Sequence, residues 1–326
     1  MKWVLAGVRF ERSTKLRLKP LVGILLVAVL LVPLSVWRNV TYANESLLPS
    51  IEQLKGEVER LRAEVATADA DTASELQAAI EQYEEQLVAD QFDVYRSTAP
   101  GSVEVALGLG ASVGALGLGL LLAAVLVSSE YRDRRIFYWL AIARRRVDAI
   151  AAKALVIPVI AAAATAFLAI LGLVAGTFLN WLYRDEPTAG WSEASSRHLA
   201  AAFVATVVAI AVWSWICSAV AFVVRSGLIT AVIVLCYIAL DATLTLTWPG
   251  AGHYLLTMRF AQIASPLWPP ATKFTIDTVG YQWWISVGGD RFAATPAMAA
   301  PILLSFCAAL FWLGWRRLRT SDVVWM

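Results

Sequence analysis

The sequence predicts an all-α polytopic membrane protein. It has six transmembrane helices, cytoplasmic termini, and an extracellular antiparallel helical hairpin between spans 1 and 2. Three observations predict this. First, 59% of the 326 residues are hydrophobic and only 16% are charged, whereas an ordinary soluble domain carries about 25% charged residues. Second, the apolar residues fall in blocks near the length a helix needs to cross a bilayer. Lipid leaves no backbone group unpaired, so such blocks are helices. Third, 17 of the 27 Lys and Arg lie in the 60 positions of 1–20, 128–153, 224–226 and 316–326. The 136 positions of 38–102, 182–198 and 247–300 hold the other 10. The basic side is the cytoplasmic side, and two ends on one side require an even number of spans.

The elements follow in order. Residues 1–20 are an amphipathic, basic N-terminal segment, either an interfacial helix on the inner leaflet or a leader that only sets topology. Span 1 is 21–37; no A-x-A-like site follows it, which favours an uncleaved span over a signal peptide.

Residues 38–100 carry the hairpin. Ile51, Leu54, Val58, Leu61 and Val65 make a heptad seam, and Leu76, Ile80, Tyr83 and Leu87 answer it. Ser50-x-x-Gln53 and Ser74-x-x-Gln77 read as capping boxes, with a break near Thr67–Thr72. The segment 50–93 holds twelve acidic and three basic residues. It is an anionic spacer, or a docking stalk for an extracytoplasmic partner.

Span 2, 101–127, is glycine-rich. Gly110-x-x-x-Gly114 puts small residues on one face, compatible with intrachain packing and with a dimer seam alike. Span 3 is 154–181, with Pro158 near its start. Spans 4 and 5, 199–224 and 227–246, are joined by a tight turn at Arg225-Ser226. Residues 247–298 are rich in Trp and Pro and read as an extracellular or re-entrant region; span 6 is 299–316.

The residues offer no enzyme constellation and no catalytic residue. There is no G-x-x-x-x-G-K-[ST] phosphate loop, H-E-x-x-H, G-x-S-x-G or C-x-x-C. His198 and His253 lack ligand-spaced partners, and Cys217, Cys236 and Cys307 all lie in spans, so neither a metal nor a structural disulfide is expected. Nothing points to nucleic acid. Ionisable residues in spans are candidate functional groups by default: Asp241 late in span 5, and Glu104 at the outer end of span 2. Each is an intramembrane polar site or a hydrated carboxylate at the boundary.

The 128–153 loop is too basic to cross a membrane and too apolar for a solvated linker. Ile136 and Leu140 mark a short amphipathic helix, with Arg132, Arg134 and Arg135 at one end and Arg144, Arg145, Arg146 and Lys153 at the other. The pattern Ser129-Glu130-Tyr131-Arg132, then Ile136, then Arg144-Arg145, then Ala151-Ala152-Lys153-Ala154-Leu155-Val156 resembles the signature after the second span of ABC-2-type exporter permeases. Their pattern runs S-E-Y-R-x-G-T-I, P-R-R, A-A-K-A-L-V, with the same spacing. Arg134-Arg135 stand where the family has Gly-Thr, Arg144 stands where it has Pro, and the first exterior loop is longer.

The resemblance implies the membrane-spanning permease subunit of an ATP-driven exporter for an amphiphilic peptide, antibiotic or lipid-like substrate. It implies that 130–147 couples to a separate cytoplasmic ABC ATPase, through Glu130, Arg132, Arg134, Arg135, Ile136, Leu140, Arg144 and Arg145. ATP and Mg would be bound by that subunit, with no cofactor on this chain. Two permease copies, a homodimer or a pair, would sit in the bacterial plasma membrane. The rival readings are a proton-coupled carrier using Asp241 or Glu104, and a membrane scaffold or sensor acting through the hairpin.

Overall fold

The computed structural model describes residues 18–132, 146–183, 193–247 and 296–320. The N-terminal amphipathic segment, the amphipathic core of the 128–153 loop and nearly all of the Trp- and Pro-rich region lie outside them. The described residues are helical and contain no strand.

Helix α1 (Leu18–Tyr42) runs through a π-helical segment (Ala43–Leu47) into α2 (Leu48–Val65). The first span and the first hairpin arm are therefore one nearly continuous helix. Pro49 lies in the first turn of α2. It has no N–H, and its ring crowds the carbonyl four residues back. The chain widens just before it, and Leu48 N–H bonds to Ala43 O. No capped start occurs at Ser50, contrary to the sequence reading.

The second arm, α3 (Ala70–Arg96), begins at Asp69, whose side chain accepts from the Thr72 N–H. Ser74 lies inside this helix, its hydroxyl donating to Asp71 O; Asp69, not Ser74, is the cap. The arms are about 27 and 40 Å long at 1.5 Å per residue. Ile51, Val58 and Leu61 are buried, while Leu54, Val65, Leu76, Ile80, Tyr83 and Leu87 are half-buried. The predicted seam is thus the one that packs. Arg62 reaches across it to Glu84 at 2.6 Å.

The second apolar block is a helix interrupted twice. It comprises α4 (Ala99–Leu109), a π segment (Gly110–Gly114), α5 (Ala115–Leu122), a second π segment (Ala123–Ser128) and α6 (Ser129–Arg132). Thr98 caps it by accepting from Gly101 N–H, and Pro100 occupies its first turn, where a missing N–H costs nothing. Then come α7 (Arg146–Tyr183), α8 (Glu193–Val224), α9 (Gly227–Thr247) and α10 (Pro296–Thr320).

Three helical stretches are long and apolar enough to cross a membrane: Leu25–Val65, Ile150–Tyr183 and Ser196–Val224. Three shorter apolar ones are Ala115–Tyr131, Gly227–Asp241 and Leu303–Arg316. Leu26, Leu30, Val159, Val174, Trp181 and Leu228 are exposed on their outer faces, as expected of helices whose solvent is lipid.

Helix α8 is the axis of the bundle, packing against α4, α5, α7, α9 and α10. Of its most apolar stretch 67% is buried, against 17% in the other two long apolar helices. The core joins Leu118, Leu122 and Leu126 to Ile157, Ile210, Trp213, Phe222 and Leu303. Close approach between α7 and α4 rests on Gly172 and Gly176. A Cβ on Gly172 would lie 2.7 Å from Ser102 O, and one on Gly176 2.5 Å from Ser102 Cβ.

Candidate functional site: the base of the bundle

The end opposite the hairpin gathers the tail of the 99–132 helix, the start of α7, the α8–α9 turn and the end of α10. Lys153, Arg225 and Arg316 all belong to this base.

At its centre is a buried ion pair. Lys153 Nζ lies 2.7 Å from Glu130 Oε1, the two side chains being 1% and 10% exposed. Lys153 also donates to Leu126 O at 2.6 Å. Leu126 lies in the second π segment, where the helix departs from the α-helical hydrogen-bond pattern. A charge in an apolar helix needs a partner to be tolerated. Lys153 is among the largest fully buried side chains of the described residues, and it finds a carboxylate and a carbonyl on one neighbouring helix. A buried pair of this kind contributes little net stability as a pair, but losing one member is costly. Its consequence is positional: it ties α6 to α7 across the thirteen residues 133–145, which lie outside the described ones.

Further contacts brace the same point. The Arg225 guanidinium lies over the Tyr131 ring, 5.5 Å from its centroid. Arg225 has φ 62°, a left-handed conformation that side chains other than glycine adopt at a cost. That conformation turns α8 directly into α9, and Ser226 O accepts from the Thr230 hydroxyl at 2.7 Å. A Cβ on Gly227 would stand 3.4 Å from Ala124 Cβ and from Ser128 Oγ, so the turn packs against the second π segment. Trp215 of α8 donates from Nε1 to Ala154 O at 2.9 Å. Helix α8 and its turn into α9 thus brace the two helices that carry the Glu130–Lys153 pair.

Among the residues expected to couple, Glu130 is in this cluster. Arg132 ends α6. Arg134, Arg135, Ile136, Leu140, Arg144 and Arg145 lie outside the described residues. The reading of Glu130 as a helix-start charge missed its partner. Lys153, a lone cation in Ala-Ala-Lys-Ala-Leu-Val, was the signal that a buried acid lay nearby.

The small-residue face divides in two. Gly110 is buried, and a Cβ there would meet Leu168 Cδ1 at 2.5 Å and Thr206 Cγ2 at 3.2 Å, so it serves packing within the chain. Gly114 is exposed and faces only its own helix's Leu109 carbonyl.

Neither intramembrane carboxyl candidate is exposed. Asp241 in α9 is fully buried, and Glu104 in α4 is 2% exposed. Glu104 Oε2 lies 3.4 Å from His198 Nε2. Near it, Asn180 of α7 donates to Ser97 O and Gly176 O, both at 2.8 Å, joining α7 to the α3–α4 junction. Among the described residues no group of three or more His, Cys, Asp or Glu is placed to hold a metal ion. Compared with known proteins, the chain matches no family model, no curated protein and no solved structure.

Proposed function

We propose that this chain is the membrane-spanning subunit of an ATP-driven exporter of the ABC-2 type. It crosses the bacterial plasma membrane six times with both termini in the cytoplasm, and it works as a pair with separate ATPase subunits that bind ATP and Mg. The substrate is amphiphilic: a peptide, an antibiotic or a lipid-like molecule. The chain itself has no phosphate-binding loop, which agrees with hydrolysis on another polypeptide.

The observation that carries the reading is the Glu130–Lys153 pair. The two residues belong to the two halves of the motif that resembles the permease signature, and the pair fixes both roots of the segment between them. A segment that receives a push from a partner needs stiff roots. Motion at its tip then reaches the spans instead of being absorbed locally. Here the roots are the end of the 99–132 helix and the start of α7, and both pack on the central helix α8.

The test is purification of the chain from its native membrane in mild detergent. The reading expects a co-purifying soluble subunit that hydrolyses ATP, with a rate that changes when Lys153 is replaced. Recovery of the chain with no ATP-hydrolysing subunit would count decisively against it.

A further inference from the structure

At the hairpin end, Glu104 of α4 sits in an unusual setting. Its side chain is 1% exposed, and neither carboxylate oxygen has a hydrogen-bond partner. An ionised carboxylate offers about four acceptor sites, and burying one with none filled is strongly unfavourable. Among the described residues its ionic partner is His198 Nε2 at 3.4 Å, and that nitrogen too makes no hydrogen bond there. The separation exceeds the ~2.7–2.9 Å of a charge-assisted bond. His198 is 30% exposed and stands one residue ahead of the apolar run that begins at Leu199.

Helices α1, α3, α7 and α8 pack against α4. Their described ionisable side chains toward this end are Arg38 and Tyr42, then Asp90, Tyr95 and Arg96, then Tyr183, then Arg197. None of these forms an ion pair or hydrogen bond with Glu104 or His198. Among the described residues, the two therefore answer to each other. Both Glu104 oxygens are sealed from solvent, so no ligand larger than a proton reaches them while α4 and α8 are in contact.

We propose that Glu104 and His198 form a proton-binding dyad that holds one proton while α4 and α8 are closed at the hairpin end and loses it when they part. In the closed state the proton rests on His198 as imidazolium beside the Glu104 carboxylate, and the dyad is neutral. Without the proton a lone carboxylate would be buried.

When the helices part, water reaches both groups. Above the ordinary histidine range of ~6.5 the open pair then carries no proton. The closed state thus binds more protons than the open one above that pH, so rising pH favours opening at this end and acidification favours closure. This linkage is independent of the proposed ATPase, because it concerns only two residues of this chain.

The test uses the full chain in lipid nanodiscs. His253 is the only other histidine, so His253→Gln leaves a single imidazole for ¹⁵N NMR. The expected result is that His198 keeps its proton to higher pH than it does when Glu104→Gln is added. Heating curves should also show the parent losing stability as pH rises through that titration, a loss absent in Glu104→Gln. An imidazole in the parent that titrates as a free histidine does would overturn the dyad, even if Glu104→Gln fails to fold. So would identical titrations with and without Glu104, or a parent stability that ignores pH across the titration.

Discussion

Lys153 and Glu130 face each other at 2.7 Å from two different helices, which the sequence joins through residues 133–145. Lys153 also needs the Leu126 carbonyl. Glu130→Gln or Lys153→Met alone leaves a buried charge without its partner, and each should cost about 3–5 kcal/mol. The double replacement should recover most of that loss. The reversed pair, Glu130→Lys with Lys153→Glu, should not recover it, because a carboxylate at 153 would face the Leu126 carbonyl with no donor between them. Unfolding in mixed detergent micelles reads all four variants; full rescue by the reversed pair would show that Leu126 contributes nothing.

Glycine positions in the bundle should divide by what stands opposite. A Cβ on Gly172 would lie 2.7–2.9 Å from Ser102 O, Ala106 Cβ and Val103 Cα. Gly172→Ala and Gly176→Ala force α7 and α4 apart and should each cost about 1–3 kcal/mol. Gly117 has nothing within 4 Å, so Gly117→Ala should be neutral or slightly stabilising, by up to about 1 kcal/mol from helix propensity. Thermal melts in nanodiscs separate the two groups; equal losses at Gly176 and Gly117 would contradict this packing.

Much of this arrangement was legible in the sequence, because periodicity reports faces. The apolar blocks became helices, and the heptad seam of the hairpin packs on the residues it named. Both capping boxes failed for one reason: a Ser three residues before a Gln caps only where the chain enters the helix, and here the helix already continues. Through the π turn ahead of Pro49, α1 runs into α2, and α3 has started at Asp69 before Ser74 is reached. Glu104 read as a boundary carboxylate because distance from the end of an apolar block measures depth and not cover. Helix α8 begins at Glu193, ahead of its apolar run, and the overhang brings His198 onto Glu104. The Glu130–Lys153 pair was half legible: both residues stood in the motif, but pairing across the loop is a tertiary fact. The Gly172-x-x-x-Gly176 face of α7 was readable by the same rule as Gly110-x-x-x-Gly114 and was overlooked.

The turn between α8 and α9 holds Arg225 at φ 62° against the Tyr131 ring. Arg225→Val keeps the strained conformation with a β-branched side chain and removes the cation, and should lose at least about 1–2 kcal/mol. Arg225→Gly relieves the strain by a similar amount and gives up a cation–π contact of about 0.5–1 kcal/mol, so its net change should be small. Unfolding midpoints of the two variants decide; a glycine variant as unstable as the valine one would mean the ring contact dominates.

Asp69 starts the second hairpin arm from the surface. Hydrogen bonds from the Thr72 side chain and backbone hold its carboxyl below the usual carboxylate value. A carboxyl lowered on folding contributes stability above its unfolded value of 3.8, and that contribution is lost as pH falls through the lowered folded value. Asp69→Ala should fray the first turn of α3 at neutral pH, seen as faster amide exchange at residues 70–74. Acidification should bring the parent's protection factors, with the intrinsic pH dependence of exchange divided out, to those of the variant, whose own should not change; a cap that survives full protonation would contradict the assignment.

The central claim is that the segment held between Glu130 and Lys153 meets an ATPase. A photo-reactive amino acid at Leu140, activated in native membranes, tests it most directly, with one at Glu59 on the hairpin as the control. The account predicts a cross-linked adduct from position 140, and none from position 59, with a polypeptide that binds ATP. Adducts from position 140 only with lipid, or only with a second copy of this chain, would contradict it.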